Sequence, residues 1–258
     1  MSYIFADRDA EELHRLRLVE QAFDATTIRL LESAAIREGG SCLEVGAGAG
    51  SILRWLGERV GPEGLAVGVD RSTDFLGEFN RRPYRIEQVD VLNFETNERF
   101  DLIHVRYVLI HNKNPASLLA RLKTLLAPGG CIVAEEPDFE ASVWHDDTYA
   151  EPCNRVNEAI HALFADGGMD PGYGRRLPAQ LSDIGMSLDH VETNAHTIPG
   201  KSPVAESMAV STIALMQKYL NTGKASRHDL DLYVRGARDP GSLATYYATV
   251  SVVSGTTN

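Results

Sequence analysis

The stretch Cys42-Leu43-Glu44-Val45-Gly46-Ala47-Gly48-Ala49-Gly50-Ser51 decides the fold. An apolar run enters a turn with glycine at alternate positions, and the pattern Ile52 to Arg59 that follows has helical spacing. Glycine suits such a turn for two reasons. It takes positive φ where the chain reverses, and its missing Cβ lets backbone come close to a ligand. A dinucleotide-binding fingerprint asks for G-x-G-x-x-G, with a small third residue packing helix on strand. Here the glycines stand at 46, 48 and 50, Ser51 fills the last position of that fingerprint, and the acidic Glu44 precedes the first glycine by two places.

Outward from this turn, strand and helix patterns alternate from 41 to 136. Such alternation calls for a parallel sheet with helices on both faces, joined by right-handed crossovers. The strands read 41–46, 65–70, 85–90, 100–105 and 130–136, and the helices about 50–60, 72–80 and 115–126. Gly61-Pro62-Glu63-Gly64 and Ala127-Pro128-Gly129-Gly130 are turn signals that stop two of these helices. Upstream, residues 8–37 carry Leu13, Leu16, Phe23, Ile28 and Leu31 at helical spacing, and Asp24 is expected to cap a break between two helices. Downstream the pattern predicts a helix at about 147–165, the Gly/Pro-rich stretch Gly167 to Pro178, a short helix, and a strand near 187–197. Two helices within 203–239 and an alternating strand from Tyr246 to Val253 complete the chain.

Bulk properties narrow the function. At 258 residues the chain can bury one sizeable core. The net charge of -11 argues against a sequence-independent grip on nucleic acid, which needs a concentrated positive surface. The adjacent basic pairs Arg81-Arg82 and Arg175-Arg176 read as surface arginines or an anion clamp. Cys42, Cys131 and Cys153 leave one odd thiol and have no C-x-x-C spacing, which suggests neither a disulfide framework nor a zinc site. No apolar run approaches the roughly 20 residues that span a bilayer, and Met1 to Asp9 is too polar for a signal peptide. A cytoplasmic protein without membrane or nucleic-acid partners is expected, and a homodimer is left open.

Five landmarks follow one another in order: Glu44 with G-x-G-x-G, Asp70 after the apolar run Ala66 to Val69, Asp90-Val91 closing a third strand, Phe100 to Val105 as a fourth, and Leu125 to Gly130 leading into Cys131 to Glu135. The series resembles the cofactor site of class I S-adenosylmethionine-dependent methyltransferases, the broad group that includes quinone-ring and natural-product enzymes acting on small molecules. It covers roughly residues 40 to 138. The resemblance implies an α/β fold with a Rossmann-like, seven-stranded, mostly parallel sheet whose last strand is antiparallel. Helices lie on both faces, and helical insertions cap the substrate. In that frame residues 1–258 are a single methyltransferase domain, with an N-terminal helical lid at 1–38, a cofactor-binding core at 39–137 and substrate-covering insertions at 138–182 and 200–240. Tyr3, Phe5 and Arg15 become lid contacts.

The implied cofactor is S-adenosyl-L-methionine, at the carboxyl ends of the strands where strand order reverses. The Asp70 carboxylate, with Arg71 beside it, suits two vicinal ribose hydroxyls. By resemblance Asp90 and the Val91 amide meet the adenine, Glu44 supports the loop or reaches the methionyl amine through water, and His111 packs under the cofactor. Gly46, Ala47 and Gly48 approach the methionyl part, and the following helix N-terminus favours its carboxylate. Arg106 stands near cofactor and acceptor alike.

Methyl transfer from a sulfonium is an in-line displacement with an excellent leaving group, so alignment and exclusion of water supply most of the acceleration. For a hydroxyl acceptor, His104 or His145 would take the proton, with Arg106 the third catalytic candidate. Trp144, Tyr173 and Arg176 are the acceptor-lining candidates, and the expected acceptor is small, aromatic and anionic. The fourth strand lacks the Asn/Asp-Pro-Pro-aromatic ending associated with nucleobase amino methylation. Glu135, Glu136 and Asp138 form an acidic cluster, yet the aspartate that metal-dependent relatives place after the fourth strand is absent, so no metal is expected. The alternatives are a nicotinamide-dependent oxidoreductase, disfavoured by Ser51, and a member of the fold that binds the cofactor without methylating.

Overall fold

The computed structural model describes residues 9–34 and 36–256. Along the chain the strands are β1 (Ser41–Val45), β2 (Leu65–Asp70), β3 (Tyr84–Gln88), β4 (Phe100–Arg106), β5 (Leu126–Asp138), β6 (Val143–Trp144), β7 (Met186–Asn194), β8 (Ile198–Pro199), β9 (Leu243–Thr245) and β10 (Ala248–Thr256). The helices are α1 (Asp9–Ser33), α2 (Ser51–Val60), α3 (Pro115–Thr124), α4 (Asp147–Asp166), α5 (Leu177–Asp183), α6 (Pro203–Asn221) and α7 (Arg227–Ala237). The chain divides into two compact units, one of Phe23–Glu136, Gly174–Thr193 and Val250–Asn258, the other of Met1–Ala22, Pro137–Tyr173 and Asn194–Thr249.

The first unit is built on a seven-stranded sheet in the order β3-β2-β1-β4-β5-β10-β7. β1 to β5 pair in parallel, and the last strand, β10, is antiparallel between β5 and β7. β2 is apolar up to Asp70, and β1 and β4 bury Cys42, Leu43, Val45, Phe100, Leu102, Ile103 and Val105, as expected where both faces of a parallel sheet are covered. The chain runs outward from β1 through β2 to β3, then returns to lay β4 on the other side of β1. Strand order therefore reverses between β1 and β4, and in open sheets of this kind ligands bind at such a reversal, outside the carboxyl ends of the strands.

α2 covers one face with Ile52, Leu53, Leu56 and Val60, all buried. Gly57 in its middle lies against Tyr84, so that a Cβ at 57 would stand 2.0 Å from Tyr84 Cε1. The Tyr84 hydroxyl donates to the Arg54 carbonyl at 3.1 Å, and its ring meets Phe79 edge-on at 5.0 Å. Alanine would improve helix propensity by about 1 kcal/mol. Overpacking costs about 1–3 kcal/mol and the lost hydrogen bond about 1 kcal/mol, so the clash wins. Gly57→Ala should lower stability by about 1–3 kcal/mol net. A urea midpoint that stays level or rises would show that Tyr84 moves aside freely.

The second unit holds α4, α6 and α7 and a small sheet in the order β6-β9-β8. α7 packs on both α4 and α6. It begins with a capping box in which Ser226 and Asp229 exchange hydrogen bonds, and Asp229 also takes Arg155 at 2.7 Å. Among the described residues no helix is long and apolar enough to cross a membrane.

Three sequence expectations are corrected. α1 is one unbroken helix, and Asp24 lies inside it instead of capping a second one. Residues 72–80 form turns, not a helix. There the Ser72 hydroxyl bonds the Asp74 carboxylate, a side-chain interaction that competes with helical pairing, while Leu76 and Phe79 still supply buried apolar surface. Ala127-Pro128-Gly129-Gly130 does not separate helix from strand. It lies within β5, where the register against β4 shifts between Phe100 and Leu102.

Candidate active site

The glycine turn leaves β1 at the reversal of strand order. Gly46 has φ +74°, and a Cβ on it would stand 2.4 Å from Val108 Cγ2, so both conformation and space require glycine. Gly48, at φ +55°, donates its amide to Asp70 Oδ2 at 2.8 Å. Asp70 Oδ1 accepts from the Ser72 amide at 3.2 Å. The carboxylate thus fastens the turn to the end of β2.

On the neighbouring strand tip, Asp90 Oδ1 accepts from the Leu92 amide at 3.0 Å, and Arg71 Nε stands 3.9 Å from Asp90 Oδ2. Val91 is buried beside it. α2 starts from Gly50 with no side-chain cap and no acidic residue in its first turn, and the positive end of a helix suits an anion. Paired acceptors on adjacent strand tips, a close-approach turn and an uncapped helix end fit the ribose, the adenine amine and the carboxylate of S-adenosylmethionine in turn.

Behind this edge lies a buried charge network. Side chains two apart on a strand share a face, and the register sets Glu44 opposite His104 and Arg106 opposite Glu135. His104 is fully buried, with Nδ1 2.7 Å from Glu44 Oε2 and Nε2 3.3 Å from Glu135 Oε1. Glu135 also accepts from Thr27 Oγ1 at 2.6 Å and Ser251 Oγ at 3.3 Å. Arg106 donates to Thr27 Oγ1 at 2.7 Å and to Asp24 Oδ1 at 3.0 Å. Burial opposes charge on His104, but Glu44 and Glu135 outweigh it and raise its pKa to about 9. Burial works against Glu135 as well, yet His104 and Arg106 hold it below the usual carboxylate range, whereas burial prevails at Glu44 and lifts it.

The expectation that His104 takes a proton from the acceptor is therefore corrected. It is fully buried within β4, and both ring nitrogens are engaged. Arg106, the last residue of β4, is spent on Thr27 and Asp24 of α1 instead of facing an acceptor. Glu136, expected only as part of an acidic cluster, accepts the amides of Val108, Leu109 and Ile110 at 2.8–3.0 Å. Burial pushes its pKa up to about 8 against the pull of those amides. The loop it fastens carries His111 and Tyr107, whose φ of +58° is unusual for a bulky side chain. Such strain persists only where its surroundings over-determine it.

Trp144 and Tyr173 are buried, and His145 is exposed with Nε2 3.3 Å from Thr197 Oγ1. Arg176 is exposed at the start of α5. Arg15 pairs with Glu12 through two contacts of 2.7 and 2.9 Å, and Tyr3 and Phe5 lie outside the described residues. Asp138 accepts from the Glu140 amide at 3.0 Å. Among the described residues no group of three or more histidine, cysteine, aspartate or glutamate side chains is placed to hold a metal ion. Cys153 follows a proline inside α4, but it is buried and its thiol is pushed up by that burial, so it has no nucleophilic character.

More than half of the chain, residues 14–167, matches the family described as methyltransferase domain, and the chain belongs to that family, the class I S-adenosylmethionine-dependent methyltransferases. It is 34% identical over 139 residues to trans-aconitate 2-methyltransferase of Methylobacterium nodulans, a match that covers 53% of this chain and 47% of that protein. It is 31% identical over 198 residues to methyltransferase str3 of Strobilurus tenacellus, covering 73% of this chain and 68% of that one. The fold is similar to that of a putative methyltransferase from Bacillus halodurans C-125, with a TM-score of 0.60 at 15% identity over 90% of this chain and 98% of the other. The chain spans about half to just under two thirds of the length of several curated relatives it matches.

Proposed function

We propose that this chain transfers a methyl group from S-adenosylmethionine to a small-molecule acceptor, without a metal ion and chiefly through proximity and orientation. The observation that carries the reading is the Asp70 carboxylate bonded to the Gly48 amide at the reversal of strand order. Bound cofactor supplies an electrophilic methyl on sulfonium. The chain's own work is to hold and aim it. Gly46 to Gly48 let backbone approach the methionyl part, Asp70 and Asp90 accept from ribose and adenine, and Glu136 clamps the loop that flanks the turn. His104 and Arg106 keep the β4 strand in place from within. Of the two histidines weighed as bases, His145 is then the one assigned to accept a proton from a hydroxyl acceptor. Acceptor recognition is assigned to the insertions 138–182 and 200–240, with Trp144, Tyr173 and Arg176 as its candidates within a single methyltransferase domain. The relative named for trans-aconitate supports an acceptor of metabolite size.

Asp70→Ala should cost about 2 kcal/mol of affinity for S-adenosylhomocysteine, roughly thirtyfold, because it removes a charged acceptor and unfastens the turn. Transfer of a labelled methyl group into a metabolite extract should fall in parallel. Unchanged affinity in calorimetry, or transfer that persists at the parent rate, would sink the assignment.

A further inference from the structure

The seven-stranded sheet has two borders, β3 and β7, and they differ. β3 is half-buried along most of its length, and Arg85 there holds Glu98 at 2.6 Å. β7 is nine residues long, with Leu188, Asp189, His190 and Val191 exposed in succession, so both faces of the strand meet solvent. Leu188 is 38% exposed and Val191 44%. Among the described residues no strand pairs with the outer side of β7. A cavity of about 610 Å³ borders the strand as well, lined by Arg29, Ser33, Cys131, Asp189, His190 and Val253 among others. Exposed apolar side chains, an open strand edge and unfilled space thus come together within the first unit.

An open edge is a template for another strand, and folded proteins usually block it with charges, proline or a bulge. Between Met186 and Asn194 there is no proline and no lysine. The charges present have both signs, and their spacing decides what they do. Glu192 Oε2 lies 3.0 Å from His190 Nε2, and Glu192 Oε1 lies 2.5 Å from Arg29.

Two copies can join β7 to β7 antiparallel about a two-fold axis normal to the sheet. Such an axis keeps each side chain on its own face, and residues opposite one another in antiparallel strands share a face. One residue must then face its own copy. Asp189 or Glu192 on the axis sets two carboxylates together, a destabilising arrangement. His190 on the axis sets Leu188 against the partner's Glu192 and Val191 against the partner's Asp189. Leu188 on the axis sets His190 against the partner's Met186 and leaves Val191 facing the partner's Gly185. Val191 on the axis suits every neighbour. It meets the partner's Val191, and His190 meets the partner's Glu192 on each side of the axis. On the face shared with Val191, Asp189 meets the hydroxyl of the partner's Thr193. Each Glu192 then lies between two histidines and each His190 between two carboxylates.

We propose that β7 is the contact between two copies of this chain, joined antiparallel with Val191 on the two-fold axis. A second copy is the fitting partner because the alternation of histidine and glutamate that the edge requires is the one the edge itself carries. The two sheets become one continuous sheet, and the border at β7 disappears.

Sedimentation equilibrium of the full chain from about 1 to about 200 μM measures the association. A strand-edge contact is small, so a dissociation constant on the order of 10 μM is expected. Val191→Lys sets two ammonium groups on the axis and should weaken the dimer at least about tenfold, with a melting temperature at low concentration within about 2 °C of the parent. Val191→Cys reports the register, because residues facing each other across antiparallel strands are within disulfide reach. Leu188→Cys is its control, since the proposed register separates the two copies of position 188 by about 20 Å. Mild oxidation should link the Val191→Cys chains on a non-reducing gel and leave Leu188→Cys unlinked, with Cys42, Cys131 and Cys153 as the common background. A parent that stays monomeric up to about 200 μM overturns the proposal. So does a dimer that Val191→Lys leaves intact, a Val191→Cys variant that fails to link, or a Leu188→Cys variant that links as readily.

Discussion

Replacing Glu135 by alanine should lower the unfolding free energy by about 3–5 kcal/mol, the usual result of removing one partner from a buried ion pair. The carboxylate has four claims on it: His104, Thr27, Ser251 and, through space, Arg106. Alanine leaves the His104 cation with Glu44 alone and leaves the Thr27 and Ser251 hydroxyls facing a void. Glu135→Gln keeps the shape and the two hydroxyl contacts and should lose clearly less. Urea unfolding of parent and both variants at neutral pH checks this. A loss below about 1 kcal/mol for Glu135→Ala would place the network among interactions without net weight.

Stability should also fall as pH rises from about 6 to about 9.5. His104 goes from 6.5 in the unfolded chain to about 9 in the folded one, so its contribution is complete below 6.5 and is lost as pH passes through 9. A shift of that size corresponds to roughly 3 kcal/mol. Glu136, raised from 4.5 to about 8, acts in the same direction, since its contribution fades as pH rises through 8. Glu135, whose pKa is lowered, acts only in acid, where its contribution is lost as pH falls. The groups facing His104 are Glu44 on β1, Glu135 on β5, Arg106 on its own strand, Asp24 and Thr27 on α1, and Ser251 on β10. Denaturant midpoints across this range give the profile. His104→Gln should be less stable in mild acid and show a flatter slope. A level parent profile would mean that His104 is neutral.

What the sequence reveals here is whatever depends on neighbours in the chain. Gly46, Gly48, Asp70 and Asp90 are legible because a turn and the tips of two strands are local patterns, and the structure places them along one edge of the sheet. The charge network is not local. Glu135 and Thr27 are 108 residues apart, and only the register of β1, β4 and β5 turns Glu44, His104 and Glu135 toward one another. The same limit explains His104. Its position near the end of a strand is visible in the sequence, whereas the face it occupies is set by pairing. Asp24 has the composition of a helix cap, but its carboxylate is bonded to Arg106, so α1 continues through it. Residues 72–80 show the converse, since buried Leu76 and Phe79 have helical spacing while Ser72 and Asp74 bond each other.

The central claim is that the edge marked by Gly46, Gly48, Asp70 and Asp90 holds the cofactor of a methyltransferase. Calorimetric titration of the full chain with S-adenosylhomocysteine, run beside oxidised nicotinamide adenine dinucleotide, tests it most directly. The account predicts saturable binding of S-adenosylhomocysteine with a Kd on the order of micromolar, about −8 kcal/mol, and no saturable heat from the dinucleotide. Saturable binding of the dinucleotide with none for S-adenosylhomocysteine would contradict it.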